Sequence, residues 1–343
     1  MATPLPTGKP LRRAMARQIA VTYLTTLPQP YRKDLLDFCA AQGLDQWLTH
    51  SVLATHRDDI RAPISAALKS VLDRRRKFEA IAIVRLKQLR DVLLSLARQN
   101  IEVVVFKGFV SAARYWGDLA LRPMDDIDLL VRPTDQKAAI AVLEQLGFHP
   151  DSRADPHPNH IRLAAHHALP VELHVDLGYS YGLRFPTELF WKDVVPLPLD
   201  DFSIPAPGDS AHIFYLLFHL AKHAPVIQLK WLLDLFLAQQ LLASSHWGIV
   251  DELAIDYRLN AVVVLSQRLC HHWLAPWRYP SRVTISAWRS FVLDQVVEQS
   301  DMFFGKSISR GLSTTALIEP TSMSCRFFLS GMRRRVVERF KTE

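Results

Sequence analysis

The stretch RPMDDIDLLV, residues 122–131, places three acids at the mouth of an apolar run. Asp125, Asp126 and Asp128 lead into Leu129, Leu130 and Val131, a sequence that reads as a buried strand. Side chains two apart on a strand share a face, so Asp126 and Asp128 project together while Ile127 and Leu129 enter the packed side. Two adjacent carboxylates repel each other unless a cation lies between them, and burying them without one is costly. The residues alone leave two readings open. One is an inward-facing cation site; the other is a solvated strand edge whose charges discourage aggregation.

A second strand supplies a partner for the acids. VELHV, residues 171–175, puts Glu172 and His174 on one face and Val171, Leu173 and Val175 on the other. Asp126, Asp128 and Glu172 on neighbouring strands would suit a hard divalent ion, Mg²⁺ or in its place Mn²⁺, that shares carboxylates with substrate phosphates. Five histidines, His157, His160, His166, His167 and His174, raise a zinc reading, but their spacing matches no compact ligand pattern. His174 reads better as support for Glu172. His219 and His223, four apart on one helix face, read as packing or substrate contacts.

Around these strands the chain falls into three regions. DLLDFCAAQGLDQWL (34–48) and FEAIAIVRLKQLRDVLLSLARQ (78–99) show helical periodicity, which predicts a helical region over 1–98. Residues 99–185 predict a small mixed sheet. IEVVVF (101–106) is a strand, VSAARYWG (110–117) a short helix closed by Gly117, and PTDQKAAIAVLEQLGF (133–148) a helix stopped at Gly147. IRLAAHHALPVELHVDL (161–177) reads as a hairpin. The proline-rich PLPLDDFSIPAPGD (196–209) reads as a connection within a C-terminal helical region, 186–343. SAHIFYLLFHLAKH, QLKWLLDLFLAQQLLA and AVVVLSQRLCHHWL are its strongly apolar helices. The fold class expected is α+β, a small mixed β-sheet core flanked by helical regions.

Composition narrows the setting. With 49% hydrophobic and 22% charged residues, the 343-residue chain reads as a soluble globular protein. Its net charge of +7 favours anionic partners or serves solubility alone, because the basic residues form no single long run. Cys39, Cys270 and Cys325 lie far apart, which suits a reducing compartment rather than a disulfide framework. The N-terminus shows no secretory pattern and no stretch is apolar enough to span a membrane, so the cytoplasm is expected and a membrane partner is not.

VVVFKGFVSAARYW (103–116), LRPMDDIDLLV (121–131) and VELHVDL (171–177), in that order, resemble the uncharacterised nucleotidyltransferase family of the DNA polymerase β-like superfamily. The helices FYLLFHLAKH, LKWLLDL and HWGIVDELA extend the resemblance to roughly residues 20–275. The resemblance implies that Asp126 and Asp128 are the metal-binding pair, Glu172 the third carboxylate, and Lys107 and Gly108 the turn that receives nucleotide phosphates. It departs from the better-known Gly-Ser or Gly-Gly turn: Lys107-Gly108-Phe109-Val110 stands here and the first hydroxyl is Ser111. A lysine can meet phosphate by direct charge. Arg122 is a phosphate clamp or a partner of Asp125 or Asp126, and Lys222 a triphosphate contact or an exposed helix lysine. The activity implied is transfer of a nucleoside monophosphate from a triphosphate to an acceptor: small molecule, peptide, protein or RNA end. The apolar C-terminal helices favour a small or peptide acceptor. Two other classes stay open: a non-catalytic module binding nucleotide or partner, and a toxin with an antitoxin. A biosynthetic partner is also compatible.

Overall fold

The computed structural model describes residues 65–300 except 153, 155–157, 179–183, 224–227, 274–276, 278 and 280. The helical reading of 34–48, the cluster Arg333 to Arg335, and Cys39 and Cys325 lie outside the described residues. Two compact units are present. The first runs to Asp176 and includes Phe190–Gly208; the second comprises Leu177–Leu189 and residues from Asp209 on.

The first unit is built on a five-stranded sheet: β1 (Val103–Phe106), β2 (Ile127–Val131), β3 (His149–Pro150), β4 (His160–Ala164) and β5 (Val171–His174), in the order β1-β2-β5-β4-β3. Only β2 and β5 run parallel; the other neighbours are antiparallel. A 34-residue helix, Ser65–Arg98, presents Leu89, Val92, Leu93 and Leu96 at helical spacing to one face of this sheet. They meet Val105, Ile127, Leu129, Val131, Leu163, Val171 and Leu173, together with Ala139, Val142 and Leu143 of the helix Gln136–Gln145. Each fully buried leucine there contributes roughly 1.5–3 kcal/mol of transfer free energy. The opposite sheet face carries Asp128, Glu172 and His174 beside the buried Val104, Phe106 and Leu130.

Gly117 and Gly147 close their helices in the left-handed region, at φ 72° and 85°, as their places in the sequence predict. The stretch 110–117 is a short helix, Gly108–Ser111, continued by a π-helical turn, Ala112–Trp116. The proline-rich segment corrects the sequence reading. It is no connection but a hairpin, β6 (Val194–Leu199) and β7 (Phe202–Pro207), and it belongs to the first unit. Asp200 takes the left-handed conformation its two-residue turn needs, at φ 59°. Leu199, Ile204 and Ala206 face the core, and Arg114 donates to the Pro207 carbonyl at 2.6 Å. The chain passes between the two compact units after Asp176, Leu189 and Gly208.

The second unit is helical: Asp209–His223, Leu229–Leu241, Ser244–Asp256, Asn260–Trp273 and Ala287–Ser300, with the short segment Leu177–Leu189. The first of these helices buries every residue from Ala211 to Ala221, which marks it as the unit's central helix. Among the described residues no helix is long and apolar enough to cross a membrane.

Candidate active site

The sheet register assembles the site. Asp128 lies in register with Glu172 across the parallel pair β2–β5, and Phe106 of β1 lies opposite Asp128. On the other side, β4 sets Arg162 beside Glu172 and His160 beside His174. Residues in register share a face, so Phe106, Asp128, Glu172, Arg162, His160 and His174 stand together on the side away from the core. The strand-edge reading of the acids fails here. Both β2 and β5 lie between two partners, and Asp128 is only 2% exposed.

Lys107 reaches this face through its backbone. A residue continuing β1 after Phe106 would point to the opposite face. Lys107 instead takes φ 50° and ψ −114°, a sparsely populated conformation, and its side chain turns back toward the acids. Its ammonium lies 2.5 Å from Asp128 Oδ1 and 3.9 Å from Glu172 Oε2. The other oxygen of Glu172 accepts from Arg162 Nη1 at 3.2 Å, and Arg162 Nε lies 3.6 Å from Asp151. His174 Nε2 stands 3.3 Å from Asp128 Oδ1 and 3.6 Å from Glu172 Oε2.

These surroundings push two carboxyls in opposite directions. Burial works to raise Glu172, but the close His174 imidazole and the charges of Lys107, His174 and His160 outweigh it. The group is held well below the usual carboxylate range. Asp126, half-buried just before β2, is raised to about 7 by burial first and then by the charge of Asp128, with Glu172 and Asp125 adding and Lys107 opposing. That is the electrostatic signature of too many acids for one lysine.

The residues suit a divalent cation. Asp128 Oδ2 is buried and makes no hydrogen bond, so this oxygen has room for a further cationic partner beside Lys107. One ligand atom each from Asp128, Glu172 and His174 lies within 4.8 Å of the others, the one such convergence among the described residues. Carboxylate oxygens are ligands for hard divalent ions. Of the histidines first weighed for zinc, His166 and His167 are exposed and meet each other edge to face, and His157 lies outside the described residues.

The other expected residues fall as follows. Gly108 begins the short helix after Lys107, and a Cβ there would sit 3.3 Å from Met124 Cγ and 3.4 Å from Arg122 Nη1. The turn and the buried Arg122 are therefore in close contact, with Arg122 also donating to the Pro123 carbonyl. Ser111 is fully buried and its hydroxyl makes no hydrogen bond. Lys222 lies near the end of Asp209–His223 in the second unit, half-buried. Sequence reasoning missed Arg162 and named His160 only among the histidines weighed for zinc. The signal was present in the hairpin: pairing β4 with VELHV fixes which residues flank Glu172 and His174.

Residues 32–275 match the family model described as uncharacterised nucleotidyltransferase. Similar solved structures include a solution structure of the antibiotic-resistance factor ANT(2'')-Ia, 14% identical, with a TM-score of 0.42, covering 53% of this chain and 96% of that one. Another is a crystal structure of ANT(2'')-Ia in complex with adenylyl-2''-tobramycin, 14% identical, with a TM-score of 0.41, covering 51% and 97%. No curated protein matches the chain. The family model spans most of the chain, and the chain belongs to that nucleotidyltransferase family.

Proposed function

From membership of this family, we propose that the protein transfers a nucleoside monophosphate from a nucleoside triphosphate to an acceptor. The observation that carries this reading is the register of Asp128 with Glu172 beneath the Lys107 ammonium. An acceptor nucleophile attacks the α-phosphorus, the bond from that phosphorus to its bridging oxygen breaks, and pyrophosphate leaves. The acceptor's proton is released to solvent. Asp126, Asp128 and Glu172 would hold a divalent ion, Mg²⁺ or Mn²⁺, which when bound neutralises charge on the phosphates.

The chain's own residues have separable tasks in this reading. Glu172, kept ionised against burial by His174, Lys107 and His160 and hydrogen-bonded by Arg162, serves as an anionic anchor and is a poor proton acceptor. Lys107 and Gly108 form the phosphate-binding turn, where the lysine supplies the charge that a hydroxyl contact lacks. Arg122, in contact with that turn, would orient phosphate oxygens with its planar donors. Lys222 is assigned to the triphosphate on the family resemblance alone. The acceptor is proposed to be a small molecule or peptide, a reading supported by the strongly apolar helices that follow the core in sequence.

Titration calorimetry with a non-hydrolysable triphosphate tests the reading. The wild type should bind in a metal-dependent manner and Asp128→Asn should lose that dependence. Equal metal-dependent binding by both proteins would remove Asp128 from the site.

A further inference from the structure

We infer that His174 is itself a ligand of the divalent ion, and that the site therefore favours a first-row transition ion such as Mn²⁺ over Mg²⁺. The inference rests on the proposed nucleotidyltransferase reading and specifies its metal. Both His174 and Asp128 are more than nine-tenths buried, and each has a polar atom with no hydrogen bond, Nε2 and Oδ2. His174 Nε2 stands 3.3 Å and 3.6 Å from two carboxylate oxygens and closes a hydrogen bond with neither. Donors to a shared ion behave in this way. With metal–ligand bonds near 2.1 Å, neighbouring donor atoms come to about 3–3.5 Å while their lone pairs converge on a point between them.

The ring is also fixed in place. Phe106 meets it edge to face at 5.1 Å, and the His160 ring lies 4.7 Å away, tilted by 30°. Strand geometry makes the arrangement compatible with the sequence-predicted acids. Asp126 precedes Asp128 by two residues and His174 follows Glu172 by two, so on parallel strands they lie on opposite sides of the registered pair. Lys107 contacts Oδ1 of Asp128, and Oδ2 makes no hydrogen bond. A set of two or three carboxylates and one imidazole differs from the all-oxygen set Mg²⁺ prefers. Nitrogen ligation shifts preference toward transition ions.

Electron spin-echo spectroscopy of the full chain loaded with Mn²⁺ alone tests this. Wild type should show nitrogen modulation from a directly bound imidazole, and ¹⁵N-histidine labelling should change its frequency. His174→Gln should lose the modulation and weaken Mn²⁺ binding by about tenfold or more, with Mg²⁺ binding changed less than about twofold. Asp128→Asn should lose the Mn²⁺ signal, tying the ion to this site. Mn²⁺ bound through Asp128 without nitrogen modulation would overturn the inference and leave the proposed reaction standing. Modulation that persists in His174→Gln would overturn it as well. Mn²⁺ binding that is absent, or indifferent to Asp128→Asn, would overturn both. If His174→Gln fails to fold, as circular dichroism would show, the labelled wild type still decides the matter.

Discussion

Replacing Asp126 by Asn should stabilise the metal-free protein, and only above the acid range. Burial and the charge of Asp128 raise the Asp126 carboxyl to about 7 from its ordinary 3.8. The folded chain therefore holds this proton more tightly than the unfolded chain. Below about pH 4 both states are protonated and Asp126 costs nothing. As pH rises toward 7 the unfolded chain ionises first, and stability is lost until the folded carboxyl ionises too. A gap of about 3 pH units corresponds to a ceiling of ~4 kcal/mol. Asp126 is only half-buried and is coupled to its neighbours, which discounts this to ~2 kcal/mol. Asparagine keeps the shape and removes the charge. In chelator and low salt at pH 8, Asp126→Asn should melt a few degrees above wild type. The two melting curves should converge at pH 4, and adding a divalent ion at pH 8 should stabilise the wild type more. A variant no more stable than wild type at pH 8, or equally more stable at pH 4, would refute the reasoning.

Lys107→Ala should weaken binding of a non-hydrolysable triphosphate more than Lys107→Arg, because charge at the turn is what the phosphates need; calorimetry would show equal affinities if Lys107 only packs. Glu172→Gln should lose at least about tenfold in turnover, ~1.4 kcal/mol, and a double-mutant cycle with Asp128→Asn should be non-additive, whereas small additive effects would take Glu172 out of the site. Gly108→Ala pushes a methyl toward Met124 and Arg122, both side-chain contacts that can give. It should cost about 1 kcal/mol in chemical denaturation and weaken triphosphate binding, and an unchanged affinity would separate Arg122 from the phosphates.

Much of the site was legible because a strand's period of two is robust. The alternation in IDLLV and VELHV predicts which residues enter the apolar core, and Ile127, Leu129, Val171 and Leu173 all do so. What periodicity cannot supply is the register between strands. That register decides that Asp128 faces Glu172 directly, that Arg162 flanks it, and that His174 joins the group while Asp126 stands beside it. The orientation of Lys107 was likewise hidden, because a positive φ at a non-glycine residue leaves no compositional mark. The hairpin at 194–207 was obscured by its prolines. Pro196 and Pro205 face each other across it in a two-stranded ribbon, where proline is tolerated. Its alternating Val195, Leu197 and Leu199, then Phe202, Ile204 and Ala206, carried the true signal.

The central claim, that the Asp128–Glu172 pair serves transfer of a nucleoside monophosphate, is tested most directly by the fate of a labelled phosphate. Wild type and Asp128→Asn would be incubated with a divalent ion, cell extract and each triphosphate labelled at either the α- or the γ-phosphorus. Wild type should move the α-label onto an acceptor while the γ-label departs in pyrophosphate, and Asp128→Asn should do neither. Transfer of the γ-label to an acceptor, or α-label transfer undiminished in Asp128→Asn, would contradict it.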